Sequence, residues 1–170
     1  MMQLRDWQSE CIARALKSFE RQSHFLCHAT PAAGKTVMVA SVARALFDDD
    51  KIDFVLCFSP SRAVAKSVAT TFSQILGRSF NGRIGAAGGS YTYQSMGTLP
   101  TDLWRVLSDH RVLVVLDEIH HCSGSSADDL IISNSWGRTV LDRIRGKASF
   151  TVALSGTPWR TDDNPIVLAR

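Results

Sequence analysis

Four short apolar segments recur along the chain with helical patterns between them, and this alternation constrains the fold more than any other feature. The segments are HFLCHA (24–29), IDFVLCF (52–58), RVLVVL (111–116) and SFTVAL (149–154). Strands that are apolar throughout must be covered on both faces, and they are typical of parallel sheets between layers of helices. We therefore predict an α/β fold, a three-layer α/β/α sandwich around a mainly parallel central sheet.

The segments between these strands have apolar residues at helical spacing. The first helix, predicted from Arg5 to about Arg21, has an apolar face formed by Trp7, Cys11, Ile12, Ala15, Leu16 and Phe19. AAGKT opens a second helix, which the acidic DDD at 48–50 ends. Ser59 and Pro60 are expected to be the N-cap and first residue of a third helix, which ends at Gly77. The glycine-rich 81–90 stretch is expected to hold one short strand, and 135–146 a short helix ending near Gly146.

Composition excludes several classes of protein. At 170 residues the chain has the size of one domain. No apolar run approaches the roughly 20 residues of a membrane span, and the polar start MMQLRDWQSE does not resemble a signal peptide, so we expect a cytoplasmic location. The four cysteines, none in a C-x-x-C pair, are interpreted as free thiols. The net charge of +3 is compatible with a nucleic-acid partner but does not by itself indicate one.

The segment ATPAAGKT (29–36) follows the first apolar strand and opens a helix. It matches a phosphate-binding loop except that Ala29 stands where the common pattern has glycine. Backbone N–H groups of such a loop and the helix N-terminus hold phosphates. Lys35 would neutralise the β and γ phosphate oxygens, and the Thr36 hydroxyl would bind Mg²⁺. The alternative is an ordinary helix start with a surface lysine.

The segment VLVVLDEIHH delivers two adjacent carboxylates, Asp117 and Glu118, at the end of the most apolar strand. Adjacent acids at such a place are unfavourable unless a cation or a reaction requires them. Asp117 is suited to bind Mg²⁺, and Glu118 to orient and deprotonate an attacking water. The alternative is a solvated acidic turn.

DEIHH resembles the DEAH-type box of superfamily 2 helicases and translocases, and further motifs occur in that family's order. LRDWQ (4–8) resembles an element in which a glutamine reads adenine, and FSPSRAVAKS (58–67) one that holds the nucleic-acid backbone. TYQSM (92–96) resembles a segment of translocases akin to type III restriction subunits. LSGTPWR (154–160) resembles the motif that links hydrolysis to nucleic-acid contact.

The resemblance implies a RecA-like lobe that uses ATP and Mg²⁺. It makes Gln8 the adenine-reading residue with Arg5 supporting it. Further residues take roles by the same resemblance: Thr30, Pro31, Ala32, Ala33 and Gly34 around the phosphates, Ser61, Arg62, Thr92 and Gln94 at the nucleic acid, and His120, Ser155 and Thr157 in coupling. In this family the loop commonly begins with alanine, so Ala29 fits. Ala32 is the real departure, since relatives usually have glycine there.

We therefore expect residues 1–170 to form the first lobe of an ATP-dependent helicase or translocase. TYQSM and DEIHH together favour DNA over RNA as the partner. Family members need a second RecA-like lobe that supplies an arginine, so the chain is expected to be a fragment that hydrolyses little ATP alone. Two alternatives remain open: a free-standing regulatory module that binds nucleotide or DNA, and an unrelated phosphate-loop nucleotidase.

Overall fold

The computed structural model describes residues 2–30, 32–119 and 140–156. Helices and strands alternate along these residues. In chain order they are α1 (Asp6–Ser18), β1 (His24–His28), α2 (Lys35–Asp48), β2 (Phe54–Ser59), α3 (Arg62–Leu76), β3 (Gly88–Thr92), a 3₁₀ helix (Tyr93–Gly97), α4 (Thr101–Asp109), β4 (Val112–Leu116), a π-helical turn (Val140–Ile144) and β5 (Phe150–Ser155). None of the helices in the described ranges has the length and apolarity that crossing a bilayer would require.

The five strands form one parallel sheet in the order β1-β5-β4-β2-β3. The predicted α/β fold with a parallel sheet is thereby confirmed. The last strand, β5, lies between β1 and β4, so the strand that leads into the loop at 29–36 and the strand that leads into Asp117 are not direct neighbours. Because the strands are parallel, their carboxyl ends share one edge of the sheet.

Helices cover the sheet on both faces, which explains the uniformly apolar strands. Successive residues of β2 point to opposite faces: Val55 and Cys57 pack with α1, α2 and α3, while Leu56 and Phe58 pack with α4 and the 3₁₀ helix. Trp104 of α4 stacks on Phe58, with ring centroids 6.0 Å apart and nearly parallel planes. These are the three layers that the sequence predicts.

The helix boundaries follow the sequence with one correction. The predicted apolar face of α1 packs on the core, and Gly77, in the left-handed conformation at φ +64°, ends α3 as expected. Ser59 does not cap α3, because it is the last residue of β2 and pairs with Thr92 of β3. The N-cap is Ser61, whose Oγ accepts a 3.3 Å hydrogen bond from the Val64 N–H.

The glycine-rich stretch contains the short edge strand that the sequence predicts, β3. Gly88 begins this strand at a place where a Cβ would lie 1.9 Å from the carbonyl oxygen of Val55, so a side chain cannot fit there. The predicted helix at 135–146 falls partly outside the described residues. Its described part is the π-helical turn, followed by Gly146 at φ +76°.

Candidate functional site

The segments singled out in the sequence meet at the carboxyl edge of the sheet. The loop at 29–36 follows β1, Ser61 and Arg62 follow β2, and Asp117 and Glu118 follow β4. Thr92 and Ser155 are the last residues of β3 and β5. Pro31, His120 and Thr157 lie outside the described residues. All the other predicted site residues therefore lie on or next to the edge where ligands of open parallel sheets bind.

The loop turns directly into α2. Gly34 is the N-cap in the left-handed conformation, at φ +91°, and Lys35 is the first helical residue. The Ala33 N–H donates a 3.2 Å hydrogen bond to the Thr30 carbonyl oxygen, which closes the turn. The first N–H groups of a helix have no partner within the helix and carry a partial positive charge. The loop therefore has the backbone arrangement that binds anionic oxygens.

Lys35 is buried against the acidic turn after β4. Its side chain is only 8% exposed, and its Nζ lies 3.0 Å from the Ala29 carbonyl oxygen and 3.0 Å from Oε1 of Glu118. Two of the three ammonium protons serve these contacts. The ion pair joins the loop to the acidic segment across the intervening strand β5.

Glu118 is held in an uncommon backbone conformation. Its φ is +46°, in the left-handed region that costs an L-residue about 1–2 kcal/mol. Its carboxylate contacts Lys35 through Oε1 and accepts a 3.2 Å hydrogen bond from the Gly156 N–H through Oε2. A strained residue fixed at both carboxylate oxygens is typical of a functional position rather than of a solvated turn.

Asp117 is buried, and its main chain is fixed on two sides. Its N–H donates a 2.9 Å hydrogen bond to the Phe58 carbonyl oxygen, and its own carbonyl oxygen accepts a 2.8 Å bond from the hydroxyl of Tyr93. Tyr93 is fully buried and belongs to the TYQSM segment. The main-chain position of Asp117 therefore depends on that segment.

Gln8 and Arg5 bind the loop from the start of α1. Gln8 is buried; its Oε1 accepts a 2.8 Å hydrogen bond from the Arg5 N–H, and its Nε2 donates a 2.9 Å bond to the Gly34 carbonyl oxygen. Arg5 Nη1 donates to the Ala33 carbonyl oxygen at 3.3 Å. A Cβ on Gly34 would lie 2.6 Å from Gln8 Nε2, so this approach favours glycine at position 34.

Ala32 occupies the conformation for which glycine is better suited. Its φ is +59°, and it is one of three non-glycine residues with positive φ in the described ranges, together with Asp50 and Glu118. This positive φ is the physical reason why alanine is less suited than the glycine that relatives usually have at this position. The strain is on the order of 1 kcal/mol.

A groove lies beside the loop that follows β2. It has a volume of about 510 Å³ and is lined by Pro60, Ser61, Arg62, Thr92, Gln94, Ser95 and Thr98. Thr92 Oγ1 accepts a hydrogen bond from the Ser95 N–H at 3.3 Å, and Gln94 Nε2 donates to the Pro60 carbonyl oxygen at 3.2 Å. The four residues predicted to contact the nucleic-acid backbone thus line one groove. Arg62 is exposed there.

A sequence model of the family described as type III restriction enzyme, res subunit, matches residues 1–160. The chain belongs to this family. Uncharacterized proteins of Mycobacterium leprae and Mycobacterium tuberculosis are each 31% identical to it over 172 residues, covering 96% of this chain. The chain spans 27% of the length of these relatives.

The fold of this res-subunit-family chain is similar to the folds of solved helicases and ATPase cores, at low sequence identity. It is similar to the Sulfolobus solfataricus SWI2/SNF2 ATPase core in complex with dsDNA, with a TM-score of 0.71, 16% identity and coverage of 92% of this chain and 32% of that one. The UvsW helicase from bacteriophage T4 is similar with a TM-score of 0.65 and 16% identity, and the match covers 92% of this chain and 53% of that one. The Type ISP restriction-modification enzyme LlaGI, solved with a DNA substrate mimic, is similar with a TM-score of 0.62 and 16% identity. That match covers 96% of this chain and 19% of LlaGI.

The donor groups of the res-subunit-family lobe fit a magnesium nucleotide. Mg²⁺ prefers oxygen ligands and commonly takes one or two carboxylates together with phosphate oxygens. Asp117, which directly follows β4, and the hydroxyl of Thr36 in the first turn of α2 are donors of this kind. The family as a whole uses ATP and Mg²⁺, and the residues present here are compatible with both.

Sequence reasoning missed two residues beside the loop in this lobe. Trp7 and His28 line a cavity of about 540 Å³ together with Arg5, Ala29, Thr30, Ala32 and Ala33. Trp7 directly precedes Gln8, which is the signal that could have identified it, although its helical spacing places it equally well in the core.

Ser155 is buried, and its carbonyl oxygen accepts a 3.2 Å hydrogen bond from the Ala29 N–H, so the SGTP segment touches the start of the loop.

Proposed function

We propose that the chain is the ATP-binding motor lobe of an ATP-dependent DNA helicase or translocase, which hydrolyses ATP with Mg²⁺ when paired with a second RecA-like lobe of the same full-length chain. The observation that carries the proposal is the 3.0 Å contact between Lys35 Nζ and Glu118 Oε1. The contact places a lysine at the start of α2 beside a carboxylate that follows β4. The chemistry of ATP hydrolysis requires a lysine and a carboxylate of this kind.

Each group at this point has a role that its position supports. The N–H groups at the start of α2 would hold the phosphates, and Lys35 would exchange a contact with Glu118 for the β and γ oxygens. Asp117 and Thr36 would hold Mg²⁺, which neutralises charge on the phosphates. Glu118, released from Lys35, would orient the attacking water and accept its proton.

The adenine of ATP would bind beside α1. Gln8 and Arg5 contact the loop carbonyl groups, and Trp7, whose ring is flat and apolar, is among the residues that line the adjoining cavity. We propose that adenine enters this cavity and that Gln8 senses it through the same amide that holds Gly34. Base recognition and loop position would then be linked through one side chain.

The DNA backbone would follow the groove lined by Arg62. Lysine and arginine side chains supply most of the affinity for phosphates, while hydroxyl and amide groups fix position. Ser61, Thr92 and Gln94 offer such groups in the same groove. His120, Ser155 and Thr157 would couple this groove to the state of the nucleotide; of these, Ser155 contacts the loop residue Ala29.

Binding of a fluorescent ATP analogue with Mg²⁺ to this chain tests the proposal. Lys35→Ala should abolish binding, whereas Lys51→Ala, a change of an exposed lysine just beyond α2, should not. Phosphate release should be low with and without duplex DNA, because the arginine of a second lobe contributes orders of magnitude to turnover in such enzymes. Equal binding by the wild type and Lys35→Ala would refute the nucleotide site, and robust turnover without DNA would refute the need for a second lobe.

The alternative is a regulatory module that binds nucleotide or DNA without motor activity. The full-length protein discriminates between the two functions. DNA-stimulated phosphate release that Glu118→Gln abolishes would support the motor, and binding without release in the full-length protein would support the module.

A further inference from the structure

Two cysteine side chains meet between α1 and β1. The Sγ atoms of Cys11 and Cys27 lie 3.6 Å apart, within the range of a thiol–thiol hydrogen bond. We propose that Cys11 and Cys27 form a dithiol that peroxides oxidise to an intramolecular disulfide, linking α1 to the strand that leads into the phosphate loop.

The two thiols differ in exposure. Cys27 is only 3% exposed, whereas Cys11 is partly exposed. A small oxidant therefore reaches Cys11 first, and Cys27 is placed behind it as the resolving thiol. This arrangement of one accessible and one adjacent buried thiol is typical of redox-sensitive pairs.

The electrostatic surroundings distinguish the thiols in the same way. The hydrogen bond with Cys27 lowers the pKa of Cys11 to about 7, the charge of Arg14 lowers it further, and burial and Glu10 oppose these effects. The same hydrogen bond and burial raise the pKa of Cys27, against a smaller effect of Lys35. The lowered pKa of Cys11 favours its thiolate form, and the thiolate is the nucleophile.

The reaction balances with hydrogen peroxide as the oxidant. The Cys11 thiolate attacks one peroxide oxygen, an S–O bond forms, the O–O bond breaks, and the leaving hydroxide takes a proton to become water. Cys27 sulfur then attacks the sulfenic sulfur of Cys11, the S–S bond forms, the S–O bond breaks, and the oxygen leaves as water with the Cys27 proton. The two thiols lose two electrons and the peroxide gains them.

The disulfide would alter the contact between α1 and the loop. An S–S bond is about 2.05 Å long, so the two sulfur atoms must approach from 3.6 Å. Gln8, which holds the Gly34 carbonyl oxygen, lies one helical turn before Cys11, and β1 ends just before the loop. Oxidation should therefore disturb the Gln8–Gly34 hydrogen bond, and this consequence for nucleotide affinity rests on the proposed function.

The test uses the Cys122→Ser chain, because Cys122 lies outside the described residues and could compete. After treatment with hydrogen peroxide and alkylation of the remaining thiols, peptide mapping should show a Cys11–Cys27 link and a free Cys57. Cys57 is fully buried and burial raises its pKa, so Cys57→Ala is the matched control and should form the same link. Cys27→Ser should stop at a sulfenic acid on Cys11, which dimedone traps, and Cys11→Ser should leave Cys27 unreacted.

Several results would overturn the dithiol. They are the absence of the link in the folded chain, a link that forms no faster than in denaturant, and dimedone labelling at Cys27 instead of Cys11. The oxidised chain should bind the ATP analogue about fivefold more weakly, as expected for a lost hydrogen bond, and reduction should restore the affinity. Unchanged affinity would overturn the regulatory role alone. A link formed in a chain that binds no nucleotide would instead refute the proposed function and leave the dithiol intact.

Discussion

Gln8 Nε2 donates a 2.9 Å hydrogen bond to the Gly34 carbonyl oxygen, so α1 fixes the last turn of the loop at 29–36. The other end of the same amide accepts the Arg5 N–H, which caps α1. Gln8, which the family resemblance assigns to the recognition of adenine, thus also supports the loop. Experiments can separate these two roles.

Replacing Gln8 by alanine should weaken binding of ATP by about tenfold, since a buried hydrogen-bonding partner is worth about 1–3 kcal/mol. If Gln8 also reads adenine, Gln8→Ala should remove the preference for ATP over GTP. If it only positions the loop, both nucleotides should weaken equally. Titrations with both nucleotides decide this, and Gln22→Ala, a change of an exposed glutamine after α1, is the control and should alter neither affinity.

Glu118→Gln should bind the ATP analogue more tightly than the wild type. The carboxylate competes with phosphate for Lys35, and a partly buried ion pair of this kind is worth on the order of 1 kcal/mol, which corresponds to about fivefold in affinity. The glutamine keeps an oxygen and the approximate shape, so the loop should not collapse. Weaker binding by Glu118→Gln in equilibrium titrations would contradict competition and would make Glu118 a support of the loop.

Ala32→Gly should relieve the backbone strain in the loop. Glycine adopts φ near +60° without penalty, although it loses up to about 1 kcal/mol in conformational entropy, so stability should change little or rise by up to about 1 kcal/mol. Ala33→Gly is the matched control: Ala33 lacks a positive φ and should lose about 0.5–1 kcal/mol. Chemical denaturation of both variants provides the comparison, and a loss in Ala32→Gly equal to that in Ala33→Gly would show that φ at position 32 carries no strain.

The sheet could be predicted because its evidence is local. Four of the five described strands are short apolar runs, and the fifth, β3 at the edge of the sheet, lies in a glycine-rich stretch. The predicted start of α3 at Ser59 and Pro60 is wrong, because the pairing of Ser59 with Thr92 makes Ser59 the last residue of β2. That pairing involves a strand that is distant in the chain, which no local pattern specifies.

The contacts within the candidate site could not be predicted, because they depend on strand order. The Glu118–Gly156 hydrogen bond exists because β5 lies between β1 and β4, which no local pattern specifies. The Gln8–Gly34 bond likewise depends on how α1 packs beside the loop. The motifs identified which residues belong to the site, and tertiary packing determines what each of them touches.

The pH dependence of stability should report the ion pair at the opposite edge of the sheet. Hydrogen bonds from the side chain and N–H of Arg111 lower the pKa of Asp53 to about 2 from its ordinary value of 3.8. Because the folded pKa is the lower one, the ionised pair stabilises the fold above about pH 4, and this contribution is lost as the pH falls towards 2. Asp53→Asn should therefore be less stable than the wild type at pH 6, with the difference shrinking below pH 4.

Asp102→Asn provides the comparison for that measurement. It removes an exposed helical pair in which Arg105 Nη1 lies 3.7 Å from Asp102 Oδ1, and pairs of this kind contribute little. Urea denaturation from pH 2 to pH 7 should give Asp102→Asn nearly the wild-type curve. An Asp53→Asn difference that stayed constant across this range would mean that the charge of Asp53 contributes nothing to stability.

Arg62→Ala should weaken DNA binding and reduce its dependence on salt. An arginine that neutralises one phosphate releases counterions, so its removal should lower the slope of log K against log salt concentration by about 0.9. Arg105→Ala is the control, because this arginine is also exposed but lies on α4, outside the residues that line the groove. Ser61→Ala should instead destabilise α3 by about 1 kcal/mol through the lost cap and leave the salt slope unchanged. If Arg62→Ala and Arg105→Ala gave the same slope as the wild type, the DNA backbone would not run along this groove.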